Sequence, residues 1–264
     1  MNDSFNALEV RVKFRSPIMH YFKLFFLHAL LPVIVVAGEN LSYSIDGKSY
    51  QGYWISSKAN ALSVVIIHDW DGITDYEKKR AQMLADLGYN VFAVDLFGAG
   101  VRPTSTTDKR QRTEELYKDR IKIRKLLSHG LDAAKAKGLN LANTVMVGYC
   151  FGGAAALEFA RSGANLKGFV TFHGGLSTPK EQNYSSAKGK YLIFHGTADT
   201  AVTMDEFANL AKELEKHGLS HEMISYGKAP HAFTVWGNPS YREDADKNSW
   251  RRFTEFLANI ALVK

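Results

Sequence analysis

The sequence is poor in cysteine and in proline, with one cysteine (Cys150) and six prolines among 264 residues. One cysteine excludes an intramolecular disulfide, and no zinc-type ligand spacing accompanies it. Internal repeats and low-complexity tracts are absent, which excludes solenoid and fibrous architectures. Acidic residues fall short of basic ones, 27 against 33, for a net charge of +6. The basic residues are dispersed, with small clusters at Lys78-Lys79-Arg80 and Lys109-Arg110-Gln111-Arg112. Neither is interleaved with aromatics as a nucleic-acid platform would be. They read as solvated helix faces, and no nucleic-acid partner is expected.

Long apolar runs are also scarce. The one present, Leu24 to Ala37, follows Lys23, is interrupted by His28 and carries Pro32. It is shorter than the ~20 residues a spanning helix needs. A charged residue, a short apolar run and small residues at Ala37-Gly38 are the layout of a secretory signal peptide. The expected division is a leader-like segment over 1–37, with Met19 as the expected start, and a folded domain over 38–264. The expected location is periplasmic or secreted, or cytoplasmic if the segment is no signal. No stable membrane association is expected after the segment is removed. The whole chain is 45% hydrophobic and 23% charged, enough for one substantial core.

The chain is organised around Thr144-Val-Met-Val-Gly-Tyr-Cys-Phe-Gly-Gly153. Val145 to Val147 read as the end of a buried strand, and Ala154 to Phe159 as the helix after it. Between them Gly148-x-Cys150-x-Gly152 is the G-x-S-x-G elbow with cysteine in the serine place. A side chain at a sharp strand-to-helix turn needs strained backbone, and its neighbours two positions away must be very small. The helix N-terminus then lies under the sulfur, where its dipole favours a thiolate or an oxyanion.

Strand patterns at Leu41 to Ile45 and Tyr50 to Ser56 are joined by Asp46-Gly47-Lys48, a hairpin signal. Further strands are expected at Leu62 to Ile67, Asn90 to Leu96, Gly168 to His173, Tyr191 to His195 and Ser220 to Tyr226. Helices are expected at Glu77 to Leu87, Arg110 to Lys137 (amphipathic through Leu116, Ile121, Leu126, Leu127 and Leu131), Met204 to His217 and Asp244 to Leu262. This alternation predicts an α/β fold with one doubly wound, mostly parallel sheet, its site at the C-terminal strand ends.

Asp199 follows a late strand, and His231 follows the next helix and strand. The order nucleophile, acid, histidine is that of α/β-hydrolases. His68-Asp-Trp-Asp-Gly72 is the loop that supplies an oxyanion N–H in such folds, here from Trp70 beside that of Phe151. Asp69 is an acid expected near the thiol. His173 and His195 read as hydrogen-bonded structural histidines rather than metal ligands. No metal and no cofactor are expected.

These residues resemble the dienelactone hydrolase family of α/β-hydrolases. The matching pieces are His68 to Gly72, Asp95-Leu-Phe97, Gly148 to Gly153, Phe172-His-Gly174, His195 to Asp199 and His231-Ala-Phe233. The resemblance implies an α/β-hydrolase fold with Cys150 as nucleophile, His231 as base and acid, and Asp199 as the orienting acid. It also implies that Asp69 contacts the resting thiol, one methylene shorter than the family's usual glutamate. Two departures stand out. The family's arginine after the Asp-Leu-aromatic segment is replaced by Gly98 to Val101, with Arg102 nearest. Its arginine after the histidine is replaced by Thr234-Val-Trp236. The expected substrate is therefore a more apolar or neutral small-molecule ester or lactone, lined by Trp70, Phe97, Phe151 and Trp236, with Arg102 in partial compensation. The expected activity is ester or lactone hydrolysis through a thioester, by a monomer or weak dimer. The alternatives are a catalytically weak or inactive hydrolase-fold protein that binds a small ligand, and a redox-reactive Cys150.

Overall fold

The computed structural model describes residues 37–262, so the leader-like segment lies outside the described residues. The described residues form one compact unit. Its strands are β1 Glu39–Ile45, β2 Lys48–Ile55, β3 Ser63–Ile67, β4 Asn90–Val94, β5 Thr144–Tyr149, β6 Gly168–Phe172, β7 Lys190–Gly196 and β8 His221–Tyr226. Its helices are α1 Asp75–Asp86, α2 Thr106–Lys118, α3 Arg120–Lys135, α4 Phe151–Arg161, α5 Met204–Lys216 and α6 Glu243–Leu262. The expected strand–helix alternation is present.

The eight strands form one sheet in the order β1-β2-β4-β3-β5-β6-β7-β8. β2 pairs antiparallel with both β1 and β4; every other pairing is parallel. The chain runs outward from β3 to β4, then returns to add β5 on the other side of β3. That reversal is the topological switch point, where a crevice opens beyond the strand ends.

Alternation within the strands splits the core into two layers. Val65 and Ile67 of β3 join α2, α3, α4 and α5 on one face. Val64 and Ile66 join α1 and α6 on the other. The central strands are buried on both faces, which is why their sequences read as continuous apolar runs.

One predicted helix is two. The expected Arg110–Lys137 helix begins earlier, at Thr106, and breaks at Asp119. Asp119 leaves helical geometry (φ −119°, ψ 79°), and its side chain accepts the Lys122 N–H at 2.9 Å. A side chain that caps a new first turn competes with helix continuation, and such a cap contributes about 1 kcal/mol. The break re-phases the helix, so Ile121 is 76% exposed and Ile123 takes the buried position. The basic clusters are corrected as well. Arg80 of Lys78-Lys79-Arg80 is 1% exposed, because α1 packs that face onto α6. Among the described residues no helix is long and apolar enough to cross a membrane.

Candidate active site

Parallel register aligns the strand ends. Ile67 of β3 lies opposite Gly148 of β5, and Tyr149 opposite Phe172 of β6. The residues just beyond, His68-Asp69, Cys150 and His173, therefore come together at one edge. Asp199 follows β7 and His231 follows β8 on the same edge.

Cys150 turns the chain from β5 into α4 with φ +51°. Its N–H donates to Phe172 O, and its carbonyl accepts the N–H of Gly153, so the turn is tied on both sides. The flanking glycines have no room for more. A Cβ on Gly148 would lie 2.0 Å from Gly152 O, and one on Gly152 would lie 2.3 Å from Ile67 O. Phe151 is the first residue of α4, so its N–H is one that a helix leaves without an intrahelical partner.

His231 Nε2 stands 3.0 Å from Cys150 Sγ, and His231 Nδ1 donates to Asp199 Oδ2 at 2.8 Å. The other oxygen of Asp199 accepts the N–H groups of Ala201 and Val202. Burial alone would raise the Asp199 carboxyl; the His231 bond and these two N–H groups outweigh it and hold it below its ordinary range. Burial likewise opposes the imidazolium of His231. The bonds to Asp199 and Cys150 prevail and lift His231 to about 10.

Asp69 and Cys150 both line a cavity of about 500 Å³ at this edge. Asp69 Oδ1 accepts the Asp71 N–H at 3.0 Å. Burial first, then Asp71, Glu77 and Cys150, push Asp69 well above the usual carboxylate range. Glu77, fully buried in α1, caps Thr74 with Oε2 and leaves Oε1 without a hydrogen-bond partner among the described residues. Oxygens of Asp69, Asp71 and Glu77 lie within 4.8 Å of one another. This trio could offer ligands to a cation, but burial pushes Asp69 and Glu77 upward and favours a proton on each. Glu77 was invisible to motif reasoning; the signal for it was the Thr74-x-x-Glu77 capping box.

The histidines divide. His68 takes the Leu96 N–H on Nε2 and donates Nδ1–H to Asp69 O, so it satisfies backbone groups at the strand end. His173, buried and at φ +42°, places Nε2 2.8 Å from Thr234 Oγ1. Burial, then the neighbouring His231, drives His173 well below its ordinary value, so it stays neutral. His195 departs from the expectation. Neither ring nitrogen has a partner of hydrogen-bond geometry among the described residues, and the ring stacks on Phe207 at 5.3 Å.

Of the expected pocket residues, Trp70 lines the cavity and four others do not. Phe97 is buried and stacks on the Phe151 ring at 5.8 Å, so both phenyl rings belong to the core under the elbow. Trp236 faces α1, its ring 4.0 Å from the Arg80 guanidinium. Arg102 is spent on the carbonyls of Ile73 and Val101 and borders a separate surface pocket. The walls come instead from Lys109, Arg110 and Tyr117 of α2, with Gly175, Val202, Val235 and Asn238 among the rest. Lys109 pairs with Asp71 at 3.2 Å and lies over the Trp70 ring at 5.2 Å. The second basic cluster is thus partly a cavity wall, set among Trp70, Tyr117, Val202 and Val235.

A cysteine-bearing strand–helix elbow on a doubly wound sheet, with an acid and a histidine following in chain order, defines an α/β-hydrolase. The chain belongs to the dienelactone hydrolase family, whose model matches residues 50–261. A curated relative from Methylorubrum extorquens, provisionally named a carboxymethylenebutenolidase, is 25% identical over 214 residues, covering 76% of this chain and 73% of its own. A solved dienelactone hydrolase-like promiscuous phosphotriesterase from metagenomic libraries is 26% identical with a TM-score of 0.79, covering 86% of this chain and 99% of its own. A Klebsiella pneumoniae structure, 20% identical with a TM-score of 0.73 over 84% of this chain and 98% of its own, shares the fold.

Proposed function

We propose that the protein hydrolyses a carboxylic ester or lactone through a Cys150–His231–Asp199 triad and a thioester intermediate. The observation that carries this reading is the unbroken line Sγ–Nε2 at 3.0 Å and Nδ1–Oδ2 at 2.8 Å. With His231 lifted to about 10, its Nε2–H is directed at the sulfur.

The thiolate of Cys150 attacks the carbonyl carbon, and the carbonyl electron pair moves onto oxygen. The N–H groups of Phe151 and Trp70 receive that oxyanion, assisted by the positive end of α4. Collapse of the intermediate expels the alkoxide, which takes the proton from His231 Nε2. Neutral His231 then takes and keeps a proton from water, the hydroxide attacks the thioester carbonyl, and collapse of the second tetrahedral intermediate expels the Cys150 thiolate and releases the carboxylic acid, which restores the thiolate–imidazolium pair. Asp69, whose burial pushes its carboxyl well above the usual range, shares the cavity with Cys150. Thiolate is a better leaving group than alkoxide, so activated or enol-type esters suit this site and amides do not.

Arg110 in the wall, beside a Lys109 already paired with Asp71, offers its charge to a substrate that carries a negative group away from the scissile carbonyl. The testing experiment is hydrolysis of neutral and carboxylated aryl esters and lactones by wild type and Cys150→Ala. Turnover by wild type, absent in the variant, is the expected result. A folded wild type without turnover of any ester, yet stabilised thermally by such compounds, would leave a ligand-binding protein instead. Export of the domain, with a mature end near Gly38, is part of this proposal. N-terminal sequencing of the protein from an expressing bacterium checks it, and a retained Met1 would refute it.

A further inference from the structure

The reading above leaves a buried cation unused. Arg80, on α1, is 1% exposed. Taking a guanidinium out of water is costly, and an apolar side chain of similar size would serve packing at least as well. What Arg80 touches gives it a different purpose. Its Nη2 donates to Thr234 O at 3.1 Å and binds Asp246 of α6. Its Nε donates to Tyr76 Oη at 3.3 Å, and its flat face lies 4.0 Å from the Trp236 ring. Thr234 and Trp236 both belong to the loop that carries His231.

Thr234 is fully buried, three residues after His231. Its Oγ1 is 2.8 Å from Tyr76 Oη and 2.8 Å from His173 Nε2. Arg80 Nε–H can only donate, so Tyr76 Oη accepts it. The Tyr76 hydroxyl, the Thr234 hydroxyl and His173 Nε2 continue the chain through two further hydrogen bonds, each open to either donor. The His173 ring meets the His231 ring edge-on, with centroids 5.3 Å apart.

The chain therefore ends on the catalytic imidazole's neighbour rather than in the sheet. His173 (φ +42°) and Ala232 (φ +62°) both hold left-handed backbone, which persists only where surrounding contacts over-determine it. The groups facing His173 are His231, His195 and Arg80. Those facing His231 are Asp199, Cys150 and His173.

We propose that Arg80, Tyr76 and Thr234 are positioning residues that act through His173 and the loop backbone to fix the His231 imidazole against Cys150 Sγ. The proposal rests on the triad reading. Its test uses the thiol alone and no ester. The rate of Cys150 alkylation by iodoacetamide is measured against pH for wild type, Thr234→Val, Tyr76→Phe and Thr234→Ser, with a melting curve for each. Thr234→Val keeps the shape and the Arg80-binding carbonyl but deletes the hydroxyl. In Thr234→Val and Tyr76→Phe the profile's midpoint rises by about one pH unit, with about tenfold slower alkylation below it. Thr234→Ser, which keeps the hydroxyl, restores the wild-type profile. Profiles that superimpose on wild type while the melting temperature falls would overturn the proposal and leave Arg80 a stabilising residue only. If Thr234→Val does not fold, Tyr76→Phe, which removes a single oxygen from the middle of the chain, decides. A wild type that hydrolyses no ester refutes the hydrolase reading and leaves this measurement intact.

Discussion

Asp199 divides its carboxylate between its own turn and His231. Oδ1 takes the Ala201 and Val202 N–H groups while Oδ2 takes the His231 Nδ1 proton. The residue is a turn cap and, in the proposed mechanism, the acid that orients His231, and the two duties need opposite oxygens of one anion.

Asp199→Asn therefore fails in one duty whichever way its amide is turned. With the amide nitrogen toward His231 the wrong tautomer is favoured; turned over, it faces two N–H donors. We expect kcat/KM to fall by roughly 10²- to 10⁴-fold. We also expect a stability loss of about 1–3 kcal/mol. Ester kinetics together with urea denaturation check both. Wild-type kinetics would remove Asp199 from the mechanism.

The pH dependence follows from His231. Its value is raised from 6.5 to about 10. A raised base stabilises the fold fully below the unfolded value, and that contribution is lost as pH rises through the folded one. Melting temperature should decline between roughly pH 7 and 10. Hydrolysis of a slow alkyl ester should decline over the upper part of that range, as the proton for the leaving group disappears. A flat profile to pH 11 would contradict the assignment.

Glu77 makes a prediction of the same sign by the other chemistry. Burial lifts its carboxyl from 4.5 to about 7. Proton binding by the folded state is stabilising below 4.5, and this is lost as pH rises through about 7. Glu77→Gln does not titrate. It should match or fall below wild type at pH 4 and exceed it at pH 8 by about 1–3 kcal/mol, read from chemical denaturation at both pH values. Parallel stability curves for the two proteins would show that Glu77 is ionised throughout.

Gly152→Ala tests the elbow itself. The added Cβ would meet Ile67 O at 2.3 Å and His68 O at 2.5 Å, both backbone atoms. Neither can move without shifting β3, so the cost should be at least about 2 kcal/mol, with loss of Cys150 reactivity. Calorimetry and thiol titration read the two effects. A wild-type melting curve would mean the elbow is far looser than its contacts indicate.

The sheet was legible because buried parallel strands leave unbroken apolar runs, as Val64 to Ile67 and Val145 to Val147 do. Cys150 was legible because it directly follows such a run, and Asp199 and His231 because they follow β7 and β8 in the chain order nucleophile, acid, histidine. The cavity walls were not. Phe97 and Phe151 follow the same strand ends, yet they turn inward to stack on each other. Trp236 lies near His231 in sequence, but the buried Arg80 draws it to the far side of the loop. Lys109 and Arg110 reach the cavity through the path of α2, which depends on the break at Asp119. No local pattern had marked that break, since Ile121 and Ile123 both satisfy a helical period.

That break has a consequence for how such an enzyme changes over generations. The groups that would perform the chemistry are seated in strand ends and in the first turn of α4, where almost every substitution collides with backbone. The groups that face the distal part of a substrate ride on one short helix, capped independently at both ends. Lys109, Arg110 and Tyr117 can be exchanged as a cassette while the machinery beneath stays unaltered. Substrate preference is thus the quickest trait of this protein to drift, and the bond-breaking apparatus the slowest.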